Sequence, residues 1–106
     1  MLLWALGHID DLGPPAAACD VGEDSKLIAE AKRANALASG AAPRSASELL
    51  DAADLYYHLH WSAIELRLAG KSNALLNESV IRERHRALNW LIRHLDQDWD
   101  DVSTDT

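Results

Sequence analysis

The chain has 106 residues, of which 48% are hydrophobic, and this size and composition predict one small domain over residues 1–106. Its formal net charge is −7, which disfavours nucleic acid as a partner because phosphate binding needs a basic surface. Cys19 is the only cysteine, so no intramolecular disulfide can form. No apolar run approaches the roughly 20 residues of a membrane span, so no membrane partner is expected and a cytoplasmic location is the default.

The first half of the chain predicts two helices. The first is expected over residues 1–9, where leucines recur at helical spacing. Gly13 and the two prolines that follow it then break the chain. A second helix is predicted over residues 24–38, with its leucine, isoleucine and alanine side chains on one side. Ser39 and Gly40 are expected to end it.

The second half predicts two longer helices. Ser45 with Glu48 three positions later forms a capping-box pattern that starts the third helix, and Gly70 ends it. The fourth begins near Asn77 and is expected to reach about Leu95. No alternating strand pattern competes. The fold class is therefore all-α: a small orthogonal or antiparallel bundle of about four helices, with the third at its centre and an ordered acidic C-terminal tail.

Three polar residues fall on the apolar faces of the third and fourth helices. His60 and Arg67 are seven positions apart on the third, and Arg84 lies among apolar residues of the fourth. Burying a guanidinium without a partner is costly, so both arginines must meet carboxylates, carbonyls or water. The favoured interpretation is a satisfied internal network. The alternative is a site in which His60, Arg67 and Arg84 bind a small anion through bidentate hydrogen bonds.

A metal site is a further alternative on the polar stripe of the third helix. Asp54, His58 and Glu65 lie close to one direction on this helix, and carboxylates and imidazoles are metal ligands. A solvated helix face with an ordinary Asp54 and His58 pair explains the same pattern. The sequence has no glycine-rich phosphate loop and no nucleophile elbow. We therefore assign no catalytic residue and expect no cofactor.

The fourth helix and the tail carry opposite charges. The residues after Leu95 alternate aspartates with Trp99 and Val102. We expect Trp99 to pack on the body of the domain with aspartates near the arginine row of the fourth helix. Exposed ion pairs contribute only about 0 to 1 kcal/mol each, so the tryptophan should matter most. The residues assigned to this structural clasp are Arg82, Arg86, Arg93, Trp99, Asp100 and Asp101.

Three sequence blocks carry a family resemblance. They are LLWALGHIDDL near the start, YYHLHWSAIELR in the middle, and ERHRALNWLI followed by DWDDVSTDT at the end. In this order they resemble the bacterial family known as domain of unknown function 4272 (DUF4272). The resemblance implies an α-helical bacterial protein and no reaction. Members of that family usually extend upstream of the first block, so the chain is expected to be a short form or fragment whose apolar surface is either exposed or buried in a dimer.

These observations favour a non-catalytic role. We expect an interaction or structural module that forms a homodimer or binds a protein partner. The reason is that the helical domain is small and rich in tryptophan and has no catalytic motif. The alternative is a small-anion or metal-binding domain with hydrolase-type activity.

Overall fold

The computed structural model of the chain describes residues 1–33 and 42–105. Within these ranges the chain forms four α-helices and no strand, which confirms the all-α prediction. None of these helices is both long and apolar enough to cross a membrane. The helices are α1 (Leu2–Ala5), α2 (Val21–Arg33), α3 (Ala46–Leu68) and α4 (Glu78–Leu91), and two 3₁₀ turns follow at His94–Asp96 and Trp99–Asp101.

The starts of α3 and α4 match the predicted capping residues. The Ser45 hydroxyl accepts a hydrogen bond from the backbone N–H of Glu48 at 3.2 Å. The Asn77 side-chain oxygen accepts one from the N–H of Val80, also at 3.2 Å. Each cap satisfies a donor that has no partner inside its helix. Gly70 adopts φ +69 just beyond the end of α3, a conformation that glycine tolerates best.

The most buried helix is α4, not α3 as the sequence suggested. Ile81 and Leu88 of α4 are fully buried and form the core with Ala53, Tyr56 and Ala63 of α3. The side of α3 away from α4 leaves large apolar side chains in solvent. The helix therefore has one buried face and one exposed face, and it is not packed on all sides.

Arg44 fastens the N-terminal segment to the start of α3. Its guanidinium donates to the carbonyl oxygens of Trp4 at 2.8 Å, Ile9 at 2.9 Å and Asp10 at 2.8 Å. The same group lies 4.3 Å from the centre of the Trp4 ring, a cation–π distance. The first helix is shorter than predicted because the chain turns at Gly7, with φ +83, where a Cβ would overlap the Ala42 carbonyl.

The second helix is the least packed. It starts at Val21, three residues before the predicted start, because the Asp20 carboxylate accepts a hydrogen bond from the N–H of Glu23 at 3.0 Å. None of its residues is buried. The predicted end at Ser39 and Gly40 lies outside the described residues. The apolar side of α2 therefore has little to pack against within the described chain.

The fourth helix ends at Leu91, four residues before the predicted end. Arg93, Leu95 and Asp96 all have positive φ, at 59°, 56° and 49°. These left-handed residues reverse the chain direction, and the tail returns along α4. Helical periodicity could not reveal this reversal, because Leu95 continues the apolar pattern while its backbone leaves the helix.

Candidate functional site

The two arginines on predicted apolar faces have separate partners. Arg67 is largely exposed and its Nε donates to Glu78 Oε2 at 2.9 Å. Arg84 is half-buried, and its Nη1 donates to the Gly13 carbonyl at 2.9 Å and to the Tyr56 hydroxyl at 2.8 Å. Arg84 therefore holds the N-terminal segment against the core. Arg67 is thus paired with a carboxylate, whereas Arg84 is hydrogen-bonded to neutral oxygen atoms.

His60 lies apart from both arginines in a buried histidine pair. Its Nδ1 is 3.0 Å from Nδ1 of His85, and the two rings meet edge to face. The hydrogen bonds of the structure therefore do not bring His60, Arg67 and Arg84 to one point. Tyr56 and Arg67 are eleven residues apart on α3, or about 16 Å along a helix axis, which separates the partner of Arg84 from Arg67.

The histidine pair is neutral in the folded protein near pH 7. Burial, together with the neighbouring His60 and His94, lowers the pKa of His85 to about 4. Burial also lowers the pKa of His60. One neutral ring must donate its Nδ1–H to the other, so the tautomer of each histidine depends on its partner. Only 2% of His85 is exposed, although it lies between Arg84 and Arg86 in the sequence.

The residues of the predicted metal site remain on the solvent side of α3. His58 Nε2 lies 3.5 Å from Asp54 Oδ1, and both side chains are mostly exposed. Glu65 is exposed too. Among the residues that the structure describes, no group of three or more histidine, cysteine, aspartate or glutamate side chains could hold a metal ion. The arrangement corresponds to the surface pair.

Part of the predicted clasp meets at Trp99. Arg86 donates from Nε at 3.2 Å and from Nη2 at 2.7 Å to the Trp99 carbonyl. The guanidinium lies 5.0 Å from the Trp99 ring centre and 3.8 Å from Asp100 Oδ1. The Trp99 ring packs edge to face on Trp90, with centroids 5.4 Å apart.

The other clasp residues have local partners. Arg82 lies 4.0 Å from Glu83, and Arg93 lies 3.1 Å from Asp96. Asp101 belongs to the second 3₁₀ turn, where its N–H donates to the Asp98 carbonyl. Of the three clasp arginines, Arg86 is therefore the one that contacts Trp99 and Asp100 of the tail.

A groove of about 270 Å³ lies between α3, α4 and the tail. The buried polar side chains of His85 and Asn89 line it from α4, and Tyr57 lines it from α3. Asp54 of α3 and Asp105 of the tail also line the groove. Asn89 donates through Nδ2 to the Ser103 carbonyl at 2.9 Å, which fixes this wall of the groove.

Comparison with known proteins supplies the family. The model of the family described as "Domain of unknown function (DUF4272)" matches residues 1–102. The chain belongs to this family. Searches of the curated proteins and of the solved structures found no match. Membership of this family identifies no reaction or ligand, so only the side chains of the DUF4272 domain indicate its role.

Sequence reasoning missed His85 and Asn89 as groove residues. One signal for His85 was available: it lies four residues after Ile81 and three before Leu88, on the edge of the apolar face. Asn89 gave no comparable signal, because its burial depends on the return of the tail to Ser103. That contact spans fourteen residues and requires the left-handed turn after α4.

Proposed function

We propose that this domain is a non-catalytic protein-interaction module that binds a basic amphipathic segment of another protein along α3, in the bacterial cytoplasm. The observation that carries the proposal is a line of exposed large apolar side chains on this helix. The anion-binding alternative is not retained, because Arg67 and Arg84 have separate partners. The metal alternative lacks a ligand cluster in the described chain.

The line consists of Leu50, Tyr57, Trp61 and Leu68, here called the α3 stripe. At 100° per residue these four residues lie within about 20° of one direction and extend for about 27 Å. Their exposures are 55%, 43%, 52% and 69%. Single exposed apolar residues are ordinary, whereas a continuous patch is typical of an interaction surface. Tyrosine and tryptophan are also the residues that most often anchor such interfaces.

Charge selects the partner. Asp54 and Glu65 are exposed and lie about 40° and 60° from the stripe on the same side. The chain as a whole carries −7. In an antiparallel pair of two copies this acidic flank would face itself, and like charges oppose the pairing. A partner segment with an apolar face and basic residues beside it complements both features.

A photocrosslinking experiment tests the proposal in cells. We expect a variant with p-benzoylphenylalanine at Tyr57 to crosslink to one protein through a segment that contains lysine or arginine. A second substitution, Trp61→Gln, should lower the crosslinked yield roughly fivefold or more, because interface tryptophans commonly contribute more than 1 kcal/mol. The protein identified by mass spectrometry must then bind the purified domain and lose affinity with Trp61→Gln.

Leu55 supplies the matched control. It is 53% exposed on the same helix but lies on another side. Leu55→Gln should leave both the crosslink and the affinity unchanged. A covalent dimer of the chain would overturn the proposed partner in favour of a second copy. Equal crosslinking from positions 55 and 57 would overturn the stripe as the binding surface.

A further inference from the structure

The groove beside the α3 stripe contains two buried polar side chains with unused capacity. His85 is 2% exposed and Asn89 is 6% exposed. His85 uses Nδ1 toward His60, and Asn89 uses Nδ2 toward Ser103. Within the described residues no hydrogen bond reaches His85 Nε2 or Asn89 Oδ1. No fully buried side-chain polar atom in the described chain lacks a partner, so neither of these two atoms is fully enclosed, and both of their residues line the groove.

The polar atoms around the groove are mostly acceptors. Asp54 and Asp105 present carboxylates, and Asn89 presents its amide oxygen. His85 Nε2 accepts when its Nδ1–H donates to His60, so the histidine pair can supply a further acceptor. A ligand with several donors and a positive charge would satisfy these atoms. An ammonium group has three donors and a guanidinium group has five.

The remaining wall suits a side chain of this kind. Tyr57 presents an aromatic ring that can attract a cation, and Leu50 and Ile92 can contact an aliphatic stem. Two basic groups lie nearby: His94 lines the groove, and His58 is 3.5 Å from Asp54. Both are imidazoles. Leu50 and Tyr57 also belong to the α3 stripe, so the groove adjoins the proposed binding surface.

We infer that this groove holds the basic side chain, lysine or arginine, of the partner segment that covers the α3 stripe. The identity of the partner segment rests on the proposed function, whereas the positive charge of the bound side chain follows from the groove. Cation binding selects the tautomer in which His85 donates through Nδ1 to His60 and accepts through Nε2. The histidine pair thereby becomes part of the recognition site instead of a core packing feature alone.

Nitrogen NMR of the full chain with ¹⁵N-labelled histidine tests this inference without the partner. The probes are Nα-acetyl-lysine methylamide and Nα-acetyl-arginine methylamide. Nα-acetyl-norleucine methylamide is the matched neutral control. We expect saturable binding of the two cations, with the His85 Nε2 resonance moving toward the shift of an unprotonated acceptor nitrogen. The norleucine probe should leave this resonance in place.

Two variants on one helix locate the site. Asp54→Asn should weaken cation binding roughly threefold, as expected for loss of an exposed charge partner. Asp51→Asn removes the same charge one turn earlier on α3 and should have no effect, since Asp51 does not line the groove. Equal effects of the two variants, or equal binding of norleucine, would overturn the inference. If a partner crosslinks at Tyr57 but the groove binds neither cation, the inference about the groove is wrong and the proposed function stands. If the groove binds the cations but no partner crosslinks, the groove chemistry stands and the proposed function is wrong.

Discussion

At the scale of single residues, the buried histidine pair makes folding sensitive to acid. The unfolded His85 binds a proton near pH 6.5, whereas the folded residue does so only near pH 4. Because the folded pKa is the lower one, the stabilisation is complete above the unfolded value and is lost as the pH falls toward the folded value. The burial of His60 acts in the same direction.

When the pH falls from 7.5 to 5, we expect the protonation linked to His85 to lower the free energy of unfolding by about 1 to 2 kcal/mol. Urea unfolding followed by circular dichroism at the two pH values measures this change. His85→Gln should lower stability at pH 7.5 but show a smaller loss on acidification. His58→Gln is the control, since His58 is exposed, and it should retain the wild-type pH dependence. An unchanged dependence in His85→Gln would contradict the burial argument.

At the scale of the elements, the tail is held by an aromatic contact more than by charge. Trp99 packs on Trp90 and under the Arg86 guanidinium, while the side chain of Asp100 is 97% exposed. Exposed ion pairs contribute about 0 to 1 kcal/mol, and aromatic pairs contribute more through burial and ring geometry. Trp99 should therefore stabilise the position of the tail more than Asp100 does.

Trp99→Ala should lower the free energy of unfolding by about 1 to 2 kcal/mol, whereas Asp100→Asn should change it by less than about 0.5 kcal/mol. Thermal unfolding of the two variants and the wild type, measured side by side, gives both values. Raising the salt concentration should leave the effect of Trp99→Ala intact, because burial is not screened. A larger effect for Asp100→Asn would show that charge holds the tail.

The elements also show which part of the fold the sequence could predict. The caps of α3 and α4 depend on residues three positions apart, so Ser45 and Asn77 marked both helix starts correctly. Arg44 was missed because its acceptors lie 34 to 40 residues away. The pairing of His85 with His60 was missed for the same kind of reason, because the two residues are 25 positions apart. Local hydrogen bonds leave a sequence signature, and tertiary partners do not.

At the scale of the whole molecule, the chain exposes more surface than its mass requires. The accessible surface is 7006 Å², against about 5,900 Å² for a compact monomer of this mass. The radius of gyration is 14.8 Å, against about 13 Å for a compact chain of this length. The unburied helix α2 and the α3 stripe are two visible sources of this excess. Stability should therefore be distributed unevenly between α2 and the α3 and α4 pair.

Hydrogen exchange measures that distribution directly. Amides of α4 around Ile81 and Leu88 should exchange only with global unfolding, because both side chains are fully buried. Amides in the middle of α2 should exchange roughly a hundredfold faster or more, since an isolated helix of this length is marginal in water. The middle of α3 is the internal control: its stripe is exposed, but Tyr56 on its other face is buried, so it should resemble α4. Equal protection of α2 and α4 at low protein concentration would contradict this order. Slowing of α2 exchange only at high concentration would instead show that a second copy of the chain covers α2.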